Sequence, residues 1–140
     1  IFAEPVESPC FMLGMATQLY SRVSVQDFGL SNRTAADGLA VVRPSELSSM
    51  YMAGCLDACY TISDNRLYRY LADLIDTEGI YAEPSAQAGF YGPILTSLKN
   101  HVPETATHIV WSTGGNMVPP DIREDDYSRG KQERMNIQKN

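Results

Sequence analysis

One amphipathic stretch, residues 64 to 79, limits most strongly the folds that this chain can adopt. Its apolar residues recur at helical spacing and are Leu67, Leu71, Leu74 and Ile75. Ser63-Asp64 predicts the start of this helix, and Gly79 predicts its end. Short strand-like runs at 60–62 and 80–82 flank it. Because strands and helices alternate, the sequence predicts an α/β fold with a parallel sheet.

The remaining segments extend this alternation. We predict further strands at 1–4, near 23–25 and at 107–111, and further helices at 10–20, from 44 to about 59, and at 85–98. Pro93 is expected to kink the last of these helices. The run 109–111 is continuously apolar, as is typical of strands that are buried on both faces. This predicts Trp111 in the core and His108 inside or at the edge of the sheet. After Pro120 we predict a short polar helix that passes into a disordered tail.

Composition excludes some classes of protein. The net charge is −6, and the eleven Lys and Arg residues form no basic stripe, which argues against a nucleic-acid partner. No apolar run approaches the roughly 20 residues of a membrane-spanning helix. The three cysteines, Cys10, Cys55 and Cys59, form no even set, so we predict free, structural thiols in a cytoplasmic protein. A zinc site at Cys55 and Cys59 is the alternative, although both histidines are distant in sequence.

The first residues suggest a piece of a longer protein. The chain opens with Ile-Phe-Ala-Glu-Pro, without an initiator Met or a helix cap, as though it entered in the middle of a strand. Such a piece would expose a sheet edge and an apolar face, so we expect it to self-associate in isolation.

Trp-Ser-Thr-Gly-Gly at 111–115 is the first candidate functional motif. Ligands of parallel α/β sheets gather beyond the carboxyl ends of the strands, and glycines allow close approach to the backbone. This pattern favours Thr113, with Gly114 and Gly115, as a binding site. The alternative is structural: Ser112-Thr113 caps a turn, and the glycines only supply positive φ.

Seven stretches, taken in order, resemble the C-terminal third of the D-serine dehydratase family. They lie at 3–10, 24–27, 34–41, 60–64, 78–80, 82–86 and 107–119. That family uses pyridoxal 5′-phosphate (PLP) on the fold-type II scaffold that tryptophan synthase β and threonine deaminase share. The resemblance implies that residues 1–120 are the C-terminal segment of a PLP-binding domain, a parallel sheet flanked by helices that is incomplete on its own. Residues 121–140 would then be a polar C-terminal helix or tail.

The resemblance also implies an activity, the β-elimination of D-serine to pyruvate and ammonia. Thr113 takes the position of the family threonine that hydrogen-bonds the pyridine nitrogen, while Gly114 and Gly115 would clear space beside the ring. A neutral hydroxyl can donate to this nitrogen but cannot protonate it fully. Other small amino acids, namely L-serine, L-threonine or diaminopropionate, remain alternative substrates. A non-catalytic scaffold or binding fragment is the alternative from another class.

A cation site is implied at the other end of the chain. Glu4 occupies the position where related enzymes place a cation ligand, and the Ser8 carbonyl would be a second ligand. From the residues alone, Glu4 reads instead as a solvated rim residue or a cap. Some relatives have an aspartate where this chain has Cys10, a poor ligand for a hard cation. We therefore expect a monovalent ion, K⁺ or Na⁺, rather than Mg²⁺.

Two parts of a PLP site are missing from the sequence. Lys99, Lys131 and Lys139 lack the setting of the family lysine that binds PLP covalently, and no multi-glycine phosphate loop is present. The resemblance implies that both lie in a segment before Ile1, which would be the partner of this chain in the site. We therefore expect the chain by itself to be catalytically inactive.

Overall fold

A computed structural model describes residues 1–99, 102–103 and 105–138. The chain divides into two compact units, residues 1–62 and residues 63–140. Each unit is described separately.

A two-stranded parallel sheet forms the centre of the first unit. Strand β1 (Phe2–Pro5) pairs in parallel with β2 (Cys59–Ile62), and Phe2 lies opposite Cys59. The pairing continues at both ends, because the Phe2 N–H donates to the Ala58 carbonyl and the Val6 N–H donates to the Ile62 carbonyl. Both strands and their parallel direction confirm the prediction for this part of the chain.

Two helices accompany the sheet in this unit, and both are shorter than predicted. Helix α1 (Cys10–Thr17) contacts β1 and ends at Gln18, whose φ of 57° lies in the left-handed region. Helix α2 (Glu46–Met52) begins after Ser45, whose hydroxyl accepts a hydrogen bond from the Ser48 N–H. This N-cap explains why the helix does not start at Pro44.

The strand predicted near 23–25 is wrong. Val25–Phe28 forms a 3₁₀ helix, because Ser24 and Asp27 make a reciprocal capping box around its first turn. Val25 is fully buried, as the apolar run suggested, but in a helical turn. Tyr20–Arg22 and Asp37–Leu39 are two further short 3₁₀ helices of this unit.

Helix α3 (Asp64–Glu78) is the core element of the second unit and confirms the clearest prediction from the sequence. Leu67 and Leu71 are completely buried. Gly79 ends the helix with a φ of 66°, as predicted. Ser63 occupies the N-cap position, but its side chain makes no capping hydrogen bond.

The helix predicted over 85–98 is two elements. Pro84–Phe90 is a 3₁₀ helix, and α4 (Tyr91–Leu98) follows it. Pro93 lies in the first turn of α4, where a missing N–H costs no intrahelical hydrogen bond. The change of helix type precedes Pro93, so the proline does not kink a continuous helix.

Helix α5 (Pro120–Gln138) is much longer than the short helix that was predicted. It packs along α3. Arg134 forms ion pairs with Asp73 and Asp76, both at 2.7 Å, and the Tyr127 hydroxyl donates to Asp76. A Cβ at Gly130 would collide with the Tyr68 carbonyl, so the two helices approach backbone to backbone. These contacts explain why the polar segment is ordered.

The strands predicted at 80–82 and 107–111 are wrong. Neither segment pairs with another strand among the described residues. Ile109 and Trp111 are 89% and 85% exposed, and His108 is exposed too, so the predicted core positions of Trp111 and His108 are also wrong. An apolar run indicates a strand only where a neighbouring strand accepts its backbone hydrogen bonds.

Candidate functional site

Thr113 lies at the edge of an open cleft in the second unit. The cleft has a volume of about 370 Å³. Leu74, Ile80 and Phe90 supply apolar surface, and Tyr81, Thr113 and Asn116 supply polar groups. Ligand sites commonly combine apolar walls with a few polar groups in this way. The structure therefore brings the predicted hydroxyl to a concave surface.

The two neighbouring hydroxyls have different environments. The Ser112 hydroxyl donates to the Ala86 carbonyl at 3.1 Å and so fixes the segment to the 3₁₀ helix. Thr113 is exposed, and its hydroxyl makes no hydrogen bond to any residue that the structure describes. Ser112 thus has a structural role, although it does not cap a turn, whereas the Thr113 hydroxyl is available to a ligand.

Gly114 and Gly115 are required by packing as well as by conformation. Their φ angles are 98° and 110°, a region that glycine adopts without strain. A Cβ at Gly114 would lie 2.6 Å from Glu83 Oε1, and one at Gly115 would lie 2.8 Å from the Glu83 backbone nitrogen. The glycines therefore make room for the protein's own 82–83 segment. Gly114 also borders the cleft, and its contact with a cofactor stays a prediction.

The 82–83 segment is itself fixed by Gln87, which sequence reasoning missed. Gln87 is fully buried, and its Nε2 donates to the Ala82 carbonyl at 2.9 Å. Its position between two alanines in a predicted helix was the only available signal. Gln87 thus supports the surface against which the two glycines pack.

Arg123, at the start of α5, was also missed. Its Nε donates to the Val118 carbonyl at 2.8 Å, and its Nη2 donates to the carbonyls of Gly115 and Asn116 at 3.0 and 2.7 Å. The guanidinium lies 4.9 Å from the centre of the Tyr81 ring. The turn after Thr113 is therefore attached to α5 through one side chain.

Tyr81 connects the same helix to the cleft. Its hydroxyl donates to Asp126 at 2.7 Å, and its side chain lines the cleft. Burial, together with the hydrogen bond to Asp126, raises the pKa of Tyr81 above its ordinary value of 10. Tyr81 is therefore a neutral hydrogen-bond donor at neutral pH.

In the first unit, Glu4 is a buried helix cap. It is 4% exposed, and its two oxygens accept hydrogen bonds from the N–H groups of Phe11 and Met12, each at 2.8 Å. Burial raises its pKa above 4.5, while these two hydrogen bonds act in the opposite direction. The reading of Glu4 as a cap is confirmed. The Cys10 thiol donates to the same carboxylate, and a carboxylate has about four lone-pair sites, so one remains for another ligand.

Ser8 is fully buried, and its hydroxyl donates to Asn32 Oδ1 at 2.6 Å. Burial, followed by the nearby Glu4 charge, raises the pKa of Cys10 to about 12. Cys10 is therefore a neutral thiol, which agrees with its expected weakness as a cation ligand. Within the described part of the chain, no group of three His, Cys, Asp or Glu residues could hold a metal ion. A site built from Glu4 and carbonyl oxygens stays a prediction.

The three cysteines are unbridged, and the two lysines that the structure describes lie away from the cleft. Cys10, Cys55 and Cys59 are all free, as predicted, but only Cys10 is buried as a structural thiol would be, and Cys55 is exposed. Lys131 places its Nζ 4.1 Å from the centre of the Tyr127 ring, and neither Lys131 nor Lys99 lines the cleft. Lys139 and His101 lie outside the described residues.

Comparison with known proteins identifies close relatives. No protein-family model matches the chain. The chain is 54% identical over 129 residues to a "Probable D-serine dehydratase" of Shouchella clausii, covering 92% of this chain and 29% of that protein. It is 48% identical to the protein of the same name from Geobacillus stearothermophilus, covering 92% and 31% respectively. The predicted resemblance is confirmed. The chain spans about three tenths of the length of these curated relatives.

The fold has a relative among solved structures. A threonine deaminase from T.th. superposes with a TM-score of 0.62 at 16% identity, over 84% of this chain and 40% of that one. This likeness confirms the predicted fold class, an α/β fold of the fold-type II group. No helix in the described part of the chain has both the length and the apolar character that crossing a membrane requires.

Proposed function

We propose that the protein carrying this chain is a PLP-dependent ammonia-lyase that converts D-serine into pyruvate and ammonia. The chain supplies the side of the active site that meets the pyridine nitrogen. The names of its relatives support this choice of substrate, and the likeness to threonine deaminase supports the scaffold.

The observation that carries the proposal is the free hydroxyl of Thr113. A pyridine nitrogen is an acceptor, and the cleft offers it a neutral donor beside the apolar surface of Leu74 and Phe90. This donor is exposed and has no partner among the described residues, so a ligand can reach it. The chemistry of the site therefore fits PLP, with Thr113 as the residue that would hold the ring nitrogen and Gly114 beside it.

The neutral donor also suits an elimination reaction. PLP, when bound, supplies an electron-withdrawing ring that stabilises negative charge at the substrate α-carbon. Thr113 donates a hydrogen bond but is far too weak an acid to transfer its proton. It therefore orients the ring while limiting how strongly the ring withdraws electrons, which favours rapid loss of the β-hydroxyl over a long-lived carbanion.

The rest of the enzyme would complete the site. We assign to it the lysine that binds PLP covalently and the phosphate loop, since neither described lysine lines the cleft. We further propose that the same part of the enzyme covers the side chains of Ile109 and Trp111, because both are exposed in this chain. Without it, the chain would be inactive and would self-associate through these side chains. A monomeric chain in light scattering would contradict the self-association.

Glu4 and the Ser8 carbonyl remain our proposed ligands for K⁺ or Na⁺. The two amide N–H groups and the Cys10 thiol leave one lone-pair site of Glu4 free, and the neutral thiol makes the surroundings unsuited to Mg²⁺. We also propose a cytoplasmic location, which the three free cysteines support.

The proposal is tested by expressing the protein that carries this chain and measuring pyruvate or 2-oxobutyrate release from four amino acids. These are D-serine, L-serine, L-threonine and diaminopropionate. We expect kcat/KM to be highest for D-serine. A preference for another of these amino acids would retain PLP chemistry and reject the substrate, whereas a protein that binds no PLP would reject the function.

Thr113→Val tests the assigned residue, because valine has the same shape without the donor. One hydrogen bond contributes about 0.5–1.5 kcal/mol, so we expect PLP affinity to fall by roughly 2- to 13-fold. Thr113→Ser, which keeps the hydroxyl, is the matched control and should remain near the wild-type affinity. Equal PLP affinity in the valine and serine variants would contradict the role of Thr113.

A further inference from the structure

We propose that Arg123 is a positioning residue for the cofactor site: it holds the 115–118 turn against α5 and so fixes the direction of the Thr113 hydroxyl. This inference rests on the proposed function, since it names a second determinant of the same site. Arg123 itself does not line the cleft.

Arg123 supplies hydrogen bonds to a turn that has no regular secondary structure. Residues 112–119 contain no regular helix or strand, so their carbonyl groups lack the partners that secondary structure provides. Three of these carbonyls, at Gly115, Asn116 and Val118, accept hydrogen bonds from Arg123. Within the turn, the Val118 N–H also donates to the Gly115 carbonyl. Hydrogen bonds that involve a charged donor are roughly twice as strong as neutral ones.

Helix α5, which carries Arg123, is fixed to the second unit at several points. At its far end, Arg134 bridges Asp73 and Asp76 of α3, and Gly130 packs directly on the Tyr68 backbone. Closer to the cleft, Asp126 accepts the hydrogen bond of Tyr81. The guanidinium of Arg123 is thus held by a helix that is itself fixed to the second unit.

The hydrogen bonds of Arg123 constrain Thr113 through Gly115. Gly115 is held from two sides. Its carbonyl accepts a hydrogen bond from Arg123, and its Cα packs so closely on the Ala82–Glu83 backbone that a Cβ would lie 2.8 Å from the Glu83 nitrogen. Ser112 is fixed to Ala86 on the other side of Thr113. The threonine therefore lies between two anchored residues, and Arg123 provides one of the two anchors. Release of that anchor should let the hydroxyl point away from the cleft.

Arg123→Gln tests this inference in the protein that carries the chain, with Arg69→Gln as the matched control. Both variants remove an arginine from the second unit, but Arg69 lies on α3 with its guanidinium 5.0 Å from the centre of the Tyr70 ring, and the structure describes no hydrogen bond from it to the turn or to α5. Hydrogen–deuterium exchange without PLP should accelerate in peptides covering 112–119 only for Arg123→Gln. PLP affinity, followed by the absorbance of the bound cofactor, should fall roughly tenfold for Arg123→Gln, the equivalent of about 1.4 kcal/mol. It should change less than twofold for Arg69→Gln.

Three results would overturn the inference. One is unchanged exchange at 112–119 in Arg123→Gln; another is faster exchange without any loss of PLP affinity; the third is an equal loss of affinity in both variants. If the wild-type protein binds no PLP, the proposed function fails, and the exchange measurement alone then decides whether Arg123 holds the turn. Should Arg123→Gln fail to fold, Arg123→Lys replaces it, because lysine keeps the charge but cannot span three carbonyls.

Discussion

Of the two glycines in the candidate site, Gly115 should tolerate replacement by alanine less well than Gly114. The new Cβ would lie 2.8 Å from the Glu83 nitrogen and 3.0 Å from the Ala82 Cα. Both neighbours are backbone atoms in a segment that Gln87 fixes through the Ala82 carbonyl, so they cannot move aside easily. The residue would also have to keep a φ of 110°, which side chains disfavour.

The magnitude follows from these two causes. Holding a non-glycine residue in such a conformation costs about 1–3 kcal/mol. Forcing an extra methyl group against packed atoms costs about 1–3 kcal/mol more. Together they lower the free energy of unfolding by about 2–6 kcal/mol, a large share of the roughly 5–15 kcal/mol available to a typical domain.

Two other glycines separate the causes. Gly79 has a φ of 66° with nothing within 4 Å of an added Cβ, so Gly79→Ala reports the conformational cost alone, about 1–2 kcal/mol. Gly114 has a φ of 98°, but its nearest neighbour is the Glu83 carboxylate, which can rotate away. We therefore expect the order of destabilisation Gly115→Ala, then Gly114→Ala, then Gly79→Ala.

Urea unfolding of the protein that carries this chain, followed by far-UV circular dichroism, measures this order. Hydrogen exchange at residues 82–84 should also accelerate in Gly115→Ala, because the added methyl group pushes that backbone. Equal destabilisation by Gly115→Ala and Gly79→Ala would refute the reasoning, since it would mean that the close approach to Glu83 contributes nothing.

Three further outcomes are expected. Hydrogen bonds from Tyr127 and Arg134 hold the pKa of Asp76 below its ordinary value of 3.8. The stability that these bonds give to α5 is therefore present above pH 3.8 and is lost as the pH falls through the lower pKa of the folded state. Hydrogen exchange in α5 should accelerate at that acidic pH, and the Asp76→Asn variant should lose this pH dependence. Glu4→Gln keeps one acceptor oxygen but removes the charge, so we expect any K⁺ enhancement of PLP affinity to disappear; an enhancement that survives in Glu4→Gln would contradict the cation site. Trp111 is 85% exposed, so at concentrations low enough to keep the isolated chain monomeric it should emit at the wavelength of a solvated indole. An emission already shifted to the blue there, with no change when the rest of the enzyme is present, would contradict the proposal that the rest of the enzyme covers this side chain.

The elements that could be predicted from the sequence are those specified by local information. Helix α3 has an amphipathic face and a terminal glycine, and both determine structure without reference to distant residues. Strands β1 and β2 were also predicted, and they pair with each other in parallel. By contrast, the run 107–111 has strand composition without a partner among the described residues, because a strand is defined by its neighbour.

The candidate site divides in the same way. Thr113 could be singled out because a hydroxyl before two glycines is visible in the sequence, and its exposure agrees with that choice. Arg123 could not, because its three acceptors are carbonyl groups, which carry no residue-type signal. The sequence contained one weak indication of the length of α5. Residues at intervals of three or four form the helix face that meets α3 and the turn, and they are Arg123, Tyr127, Gly130 and Arg134.

The parallel pairing of β1 with β2 has a consequence for how the first unit folds. The two strands are joined by residues 6–58, so Phe2 and Cys59 must meet across a long stretch of chain before the sheet yields any hydrogen bond. Closing such a loop costs entropy early, and contacts distant in sequence slow folding. We therefore expect helix α1 to form early and the sheet to form last, making strand pairing the rate-limiting event for residues 1–62.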